Sequence, residues 1–257
     1  MGEGYVTVPG RTTKYGLTNL LQTWALAEPD TRADLVALHF HNLFEAEATQ
    51  PRTPAELAPL IRPRVRNRDQ AGAVSVPSLS QTVAEGVDAV LCVDLPTAVS
   101  NLQPEQMAAT GKTMQELWEL AISQIDDGEP MREDDFGNGV TAFAGESFFV
   151  ASRVLDLERF AGEIPPAGAL VAIPHRHLLL VHRIETTQAL SALNTMVAAA
   201  DHFYRQGPGS IVPHVFWWRH DRALLRIPTG IRDGRHYLGP QDELVDVLNA
   251  LPAASDA

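Results

Sequence analysis

Among its 257 residues the chain has one cysteine and two lysines. Cys92, alone in the apolar run AVLCV, has no partner for an internal disulfide and reads as a small core residue. Lys14 and Lys112 are the only candidates for lysine chemistry, since every other cation is an arginine. No apolar run reaches the roughly 18 residues that a bilayer span requires. The opening MGEGYVTVPGR lacks the basic start and apolar core of a signal peptide. Val6 stands where N-myristoylation requires serine or threonine. The expected compartment is therefore the cytoplasm, with no membrane partner. Positive charge is also short: 20 Lys and Arg against 32 Asp and Glu leave a formal charge of −12. Phosphate affinity rests on accumulated cations, so general nucleic-acid binding is not expected. A basic partner is compatible with that charge.

Catalytic and cofactor signatures are missing as well. There is no GxGxxG, no GxSxG and no HExxH. Gly111-Lys112-Thr113 resembles the end of a phosphate-binding loop, but Gln106 occupies the position of its first glycine. Neither lysine follows an acid at the spacing of a PD-(D/E)xK nuclease. No cofactor is expected.

What the chain does carry is a strong middle. The segment from Gly139 to Ile184 reads as four short strands paired as two hairpins around a brief helix. ALVAI and HLLLVH have no polar face at their centres: Leu178 and Leu180 point one way, Leu179 and Val181 the other. Strands apolar on both faces belong in the interior of a sheet covered on both sides. Pro174, His175 and Arg176 read as the turn between them.

Around this core the spacing predicts helices. Leu17, Leu20, Leu21, Trp24 and Ala25 recur at helical period, as do Leu35, Leu38, Leu43 and Phe44, with Val36 beside them. Thr53 caps a short helix with Pro54 at its first position. Thr113 and Glu116 form a capping box for MQELWELAISQI. The best helix follows Thr186 or Thr187 and ends at Gly207-Pro208. A last one opens at Pro240 with Leu244, Val245, Leu248 and Leu251 inward. Strands are expected at Tyr5–Val8 and Val87–Leu95, and a third hairpin in IVPHVFWWRHDRALLRIP turns near His220 to Arg222. Gln70 to Thr82 reads as a loop. The fold class is α+β: an antiparallel or mixed sheet built from consecutive hairpins, with helices packed against it. Residues 1–69 form a mostly helical N-terminal segment, and residues 70–257 the α+β core, unless the two are continuous.

Several clusters bear on function. In IRPRVRNR, alternate arginines of an extended chain share a face and could meet phosphates or carboxylates; the overall charge favours pairing with the protein's own acids. DDGEPMREDDFGNG carries six acids, without EF-hand spacing, and reads as a solvated loop able to meet a basic partner. Trp217, Trp218 and Arg219 have the composition of a binding hot spot, with one tryptophan core and the other half exposed. His175 and His177, with Asp221, are the one candidate metal set, because HxH on a strand places two imidazoles on one side.

LTNLLQTWALAEPDTRADLVALHFHNLF, IRPRVR, VDAVLCVDLP, MQELWELAISQI, FVASRVL and ALVAIPHRHLLLV occur in an order that resembles the uncharacterised bacterial YtpQ-like family, a domain of unknown function. The resemblance implies a cytosolic α+β protein and brings no catalytic residue with it. Two functions follow from the residues. The first is a non-catalytic binding protein of adaptor, chaperone-like or inhibitor type. It would present Asp134, Asp135, Trp217, Trp218 and Arg219 to a protein or basic peptide. The alternative is a metal-dependent hydrolase using His175, His177 and a carboxylate such as Asp135 or Asp221.

Overall fold

A computed structural model of the chain describes residues 5–9, 14–69, 79–126, 128–232, 235–239 and 242–254. In chain order the elements begin with β1 (Tyr5–Thr7), β2 (Lys14–Gly16), α1 (Thr18–Leu26), α2 (Arg32–Ala48) and α3 (Pro54–Leu57). Next come β3 (Ile61–Asn67), β4 (Ser80–Ala84), β5 (Val87–Asp94), β6 (Val99–Asn101), α4 (Pro104–Thr110) and α5 (Met114–Ser123). Then follow β7 (Met131–Gly137), β8 (Val140–Gly145), α6 (Leu157–Ala161), β9 (Ala169–His175), β10 (Leu178–Arg183) and α7 (Ala189–Gln206). The chain closes with β11 (Val215–Trp218), β12 (Leu224–Arg226), β13 (Thr229–Arg232), β14 (Arg235–Leu238) and α8 (Asp242–Asn249).

The fold is α+β and its described sheets are antiparallel. The larger has six strands in the order β12-β11-β9-β10-β8-β7, and the smaller is β3-β5-β4 with β6 also paired to β5. β9 and β10 lie in the middle of the six, and their alternation divides two cores. Val171, Ile173, Leu179, Val181, Phe216 and Trp218 join the smaller sheet and α5. Leu170, Ala172, Leu178, Leu180, Val215 and Trp217 pack beneath α7 and Leu244 of α8. The result is three layers, with the six-stranded sheet between helices and a second sheet.

The capping box predicted at Thr113 is formed, and Thr53 makes the same reciprocal pair with Glu56. β3 joins the first 69 residues to the rest: it pairs with β5 over its whole length. Its outward-facing Val65 amide donates to Ser152 Oγ at 3.0 Å.

Four expectations need correction. In DDGEPMREDDFGNG residues 126 and 128–130 are irregular, but Met131–Gly137 is strand β7, hairpinned to β8 at the edge of the large sheet. An edge strand with exposed faces has no apolar alternation, and its acids oppose pairing with a second copy of the same strand. The second strand expected between Gly139 and the brief helix, around FFV, is instead a turn leading into a 3-10 helix, Ala151–Asp156, so the hairpin partner of β8 is β7, before it, while β10 pairs on its other side. The β9–β10 turn is Arg176-His177, with Pro174 and His175 still in strand. On α8, Val245 is 43% exposed, and Val247 takes the inward place beside Leu248 and Leu251. Of the expected loop at Gln70 to Thr82, residues 70–78 lie outside the described residues, as does Pro240.

Candidate functional site

The α1–α2 helical hairpin does not pack on the core as its apolar period predicts. Leu20 and Ala46 are buried, whereas Leu21, Trp24, Leu26, Val36 and Leu38 are exposed. Tyr15 Oη of β2 donates to Glu47 Oε2 of α2 at 2.9 Å, and a polar tether holds the hairpin over the body, where Thr97 Oγ1 donates to the Asn42 carbonyl at 2.9 Å. The Gly209 amide donates to Gln22 Oε1 at 2.8 Å. Between hairpin and body lies a cleft of about 460 Å³. Leu20, Leu35, Leu38 and Leu43 from the hairpin and Val99 from β6 give it apolar walls. Arg64, Arg176 and Phe148 line it from the body side.

Arg64 reaches this cleft by strand alternation. Ile61 and Val65 of β3 enter the inter-sheet core, so Arg62, Arg64 and Arg66 belong to the opposite face. Register then decides their fates. Arg62 pairs with Asp94 at 2.9 Å, and Arg68, just past the strand, with Asp88 at 2.8 Å. The residue opposite Arg64 is Val90, which offers no charge. Arg64 Nε is cut off from solvent and has no hydrogen-bond partner. Burial pushes its pKa down, and no carboxylate offsets that cost.

Arg176 arrives from the other sheet, on the β9–β10 turn. Its guanidinium lies over the Phe148 ring, 4.3 Å from the centroid. Its Nε donates to His177 Nε2 at 2.8 Å. Burial, then the charge on Arg64, lowers its pKa to about 9. The turn is fixed from both sides: Arg176 N donates to the Gly209 carbonyl at 3.1 Å, and its own carbonyl accepts from Ala151 N at 3.1 Å. Two desolvated cations therefore meet in one cleft without a carboxylate beside either, among the described residues. Chemically, that arrangement accepts an anion.

The predicted metal set is not assembled. His177 Nδ1 faces the carbonyls of Gly145 and Ser147 at 3.2 and 3.1 Å, so it carries the proton. Its Nε2 accepts from Arg176, which leaves no lone pair. His175 Nδ1 accepts from the His177 amide at 3.2 Å. Asp221 sits in the β11–β12 turn, where it accepts from Arg219 and from Ala223 N. Trp218 pairs with Ala169, the start of β9, so that turn lies at the far end of β9 from His175, about 20 Å away at strand rise. No group of three potential ligands that could hold a metal occurs among the described residues.

The expected hot spot is also rearranged. Both tryptophans are buried, Trp217 at 4% and Trp218 at 3% exposure. β11 lies between β9 and β12, and each of its faces is covered, so neither ring is free. Trp217 Nε1 donates to the Ala167 carbonyl at 2.9 Å. Arg219 is engaged by Asp221 and by Glu243 of α8, the latter at 2.8 Å. Asp134 and Asp135 are exposed on edge strand β7, on a different part of the surface from the cleft lining.

Fold and site together define a three-layer α+β protein with an arginine-bearing cleft under an N-terminal helical hairpin. The chain matches no family model, no curated protein and no solved structure. No helix among the described residues is long and apolar enough to cross a membrane.

Proposed function

We propose that this chain is a non-catalytic binding protein whose ligand presents an anionic group to Arg64 and Arg176. The observation that supports this most strongly is the pair of desolvated guanidinium groups, one from each sheet, with no carboxylate beside them among the described residues. Burying unpaired charge is costly, and a native cleft that retains two such groups is arranged for an anion from outside the chain. Burial lowers the pKa of His39, the imidazole that lines the cleft, as it does for His175 and His177 beside Arg176, so all three favour the neutral form and none is a ready general acid.

The test is thermal unfolding of the full chain in rising sodium phosphate at constant ionic strength. A ligand that binds only the folded state raises the midpoint with concentration. The wild type is expected to shift, and Arg64→Met and Arg176→Met to shift far less. Equal shifts in all three would remove the reading.

A second reading keeps the acidic surface. Glu133, Asp134 and Asp135 are exposed on β7, whose outer edge is unpaired in the six-stranded sheet. An extended basic peptide could add there as a further strand, its cations facing these acids. Titration with an arginine-rich peptide, read against Asp134→Lys, addresses it: unchanged affinity in the variant would count against it.

A further inference from the structure

We infer that the ligand of the cleft is a small phosphate monoester with an apolar organic part, its phosphate between Arg64 and Arg176 and its body against the leucines of the α1–α2 hairpin. This rests on the anion-binding reading and adds the chemical class.

Charge comes first. Arg64 and Arg176 bring two positive charges to one cleft, and a single negative charge leaves one of them uncompensated. A phosphate monoester carries about −1.5 to −2 at neutral pH on one compact group. Guanidinium groups match its oxygens in a fixed fork of donors. A dicarboxylate could supply equal charge, but in two separated groups, and among the described residues the only cations in the cleft lining are the two adjacent arginines. Away from them Leu20, Leu35, Leu38, Leu43 and Val99 give apolar wall, with Asn19, Thr23, His39, Asn42 and Thr97 among them and Phe148 beneath Arg176.

Size and field exclude larger anions. A cleft of about 460 Å³ is in the range of small-molecule sites. The net charge of −12 repels a nucleic acid or an acidic protein segment along its whole length. A small dianion senses mainly the charges within about 8 Å, where the two arginines dominate. The exposed Leu38 then has a use: with Leu20, Leu35 and Leu43 it covers the organic part of the ligand.

The experiment is calorimetric titration of the full chain with phenyl phosphate, phenyl sulfate and inorganic phosphate at one pH and ionic strength. Phenyl sulfate has the same shape with one charge, and inorganic phosphate has the charge without the ring. Phenyl phosphate is expected to bind about tenfold or more tightly than either of the others. Arg64→Met and Arg176→Met are each expected to weaken it by roughly ten- to a hundredfold; circular dichroism checks that both fold, and Arg64→Lys supplies a milder change at the same place. Equal affinity for phenyl sulfate would overturn the dianion while leaving an anion site. Equal affinity for inorganic phosphate would overturn the apolar part. No heat with any of the three, in a folded protein, would overturn the anion site itself.

Discussion

Gly209 makes room for Arg176. A Cβ at position 209 would lie 2.8 Å from Arg176 Cδ, and the glycine has φ +73°, a conformation other residues adopt at a cost. The backbone of the same residue accepts from Arg176 N and donates to Gln22 of α1. One turn thus sets the arginine and holds the helical hairpin above it. Gly209→Ala is expected to lower stability by about 1 to 2 kcal/mol, from the backbone strain and the clash. It should also weaken anion affinity beyond what a stability loss explains. Urea unfolding and phosphate titration of the variant measure the two effects separately.

Removing a charge should make the ligand-free protein more stable. Arg64 has a buried Nε without a partner and no acid opposite it on β5. Replacing such a group by an apolar side chain of similar length relieves desolvation. Arg64→Met is expected to raise the unfolding free energy by about 1 to 2 kcal/mol in anion-free buffer while abolishing the response to phosphate. A destabilised variant would mean that Arg64 is a structural cation.

His175 gives a pH signature. Burial, then the neighbouring His177 and Arg176 charges, pushes its pKa from 6.5 down to about 4. Between those values the unfolded chain binds a proton that the folded chain refuses, so stability rises with pH across the window. It is correspondingly lost as pH falls from about 6.5 to about 4. Urea midpoints at the two ends are expected to differ more for the wild type than for His175→Gln, which does not titrate. Identical differences would contradict the assignment.

The tryptophans should behave as core. Trp217→Ala is expected to cost about 3 to 5 kcal/mol, by cavity formation under α7. Near-native stability of that variant, measured by denaturant unfolding, would contradict its burial. Cys92 provides a control: burial pushes its thiol up to about 12, so thiol reagents should label it only when the chain unfolds.

The central architecture is readable in the sequence because ALVAI and HLLLVH have apolar residues on both faces, and the two faces enter two different cores. The box at Thr113 and the cap at Thr53 are readable because capping is local. β7 is not: an edge strand exposed on its faces leaves no periodic signal among its acids. Alternation places Arg62 and Arg64 on one face, but it does not say that Arg62, opposite Cys92, reaches diagonally to Asp94 while Arg64, opposite Val90, meets no acid among the described residues. The meeting of Arg64 with Arg176 joins two sheets across 112 positions of chain, and no local pattern announces it. One of Trp217 and Trp218 reads as half exposed because the predicted hairpin does not say that both faces of its first strand are covered, one by the smaller sheet and α5 and the other by α7.

The most direct measurement follows the two arginines themselves. In nitrogen-edited spectra that resolve the Nε–H groups, assigned by Arg64→Met and Arg176→Met, phosphate is added at constant ionic strength. Arg64 and Arg176 are expected to shift together along one saturating curve, while Arg62 and Arg68, already paired with Asp94 and Asp88, stay nearly still. Shifts confined to the paired or exposed arginines, with Arg64 and Arg176 unmoved, would contradict the account.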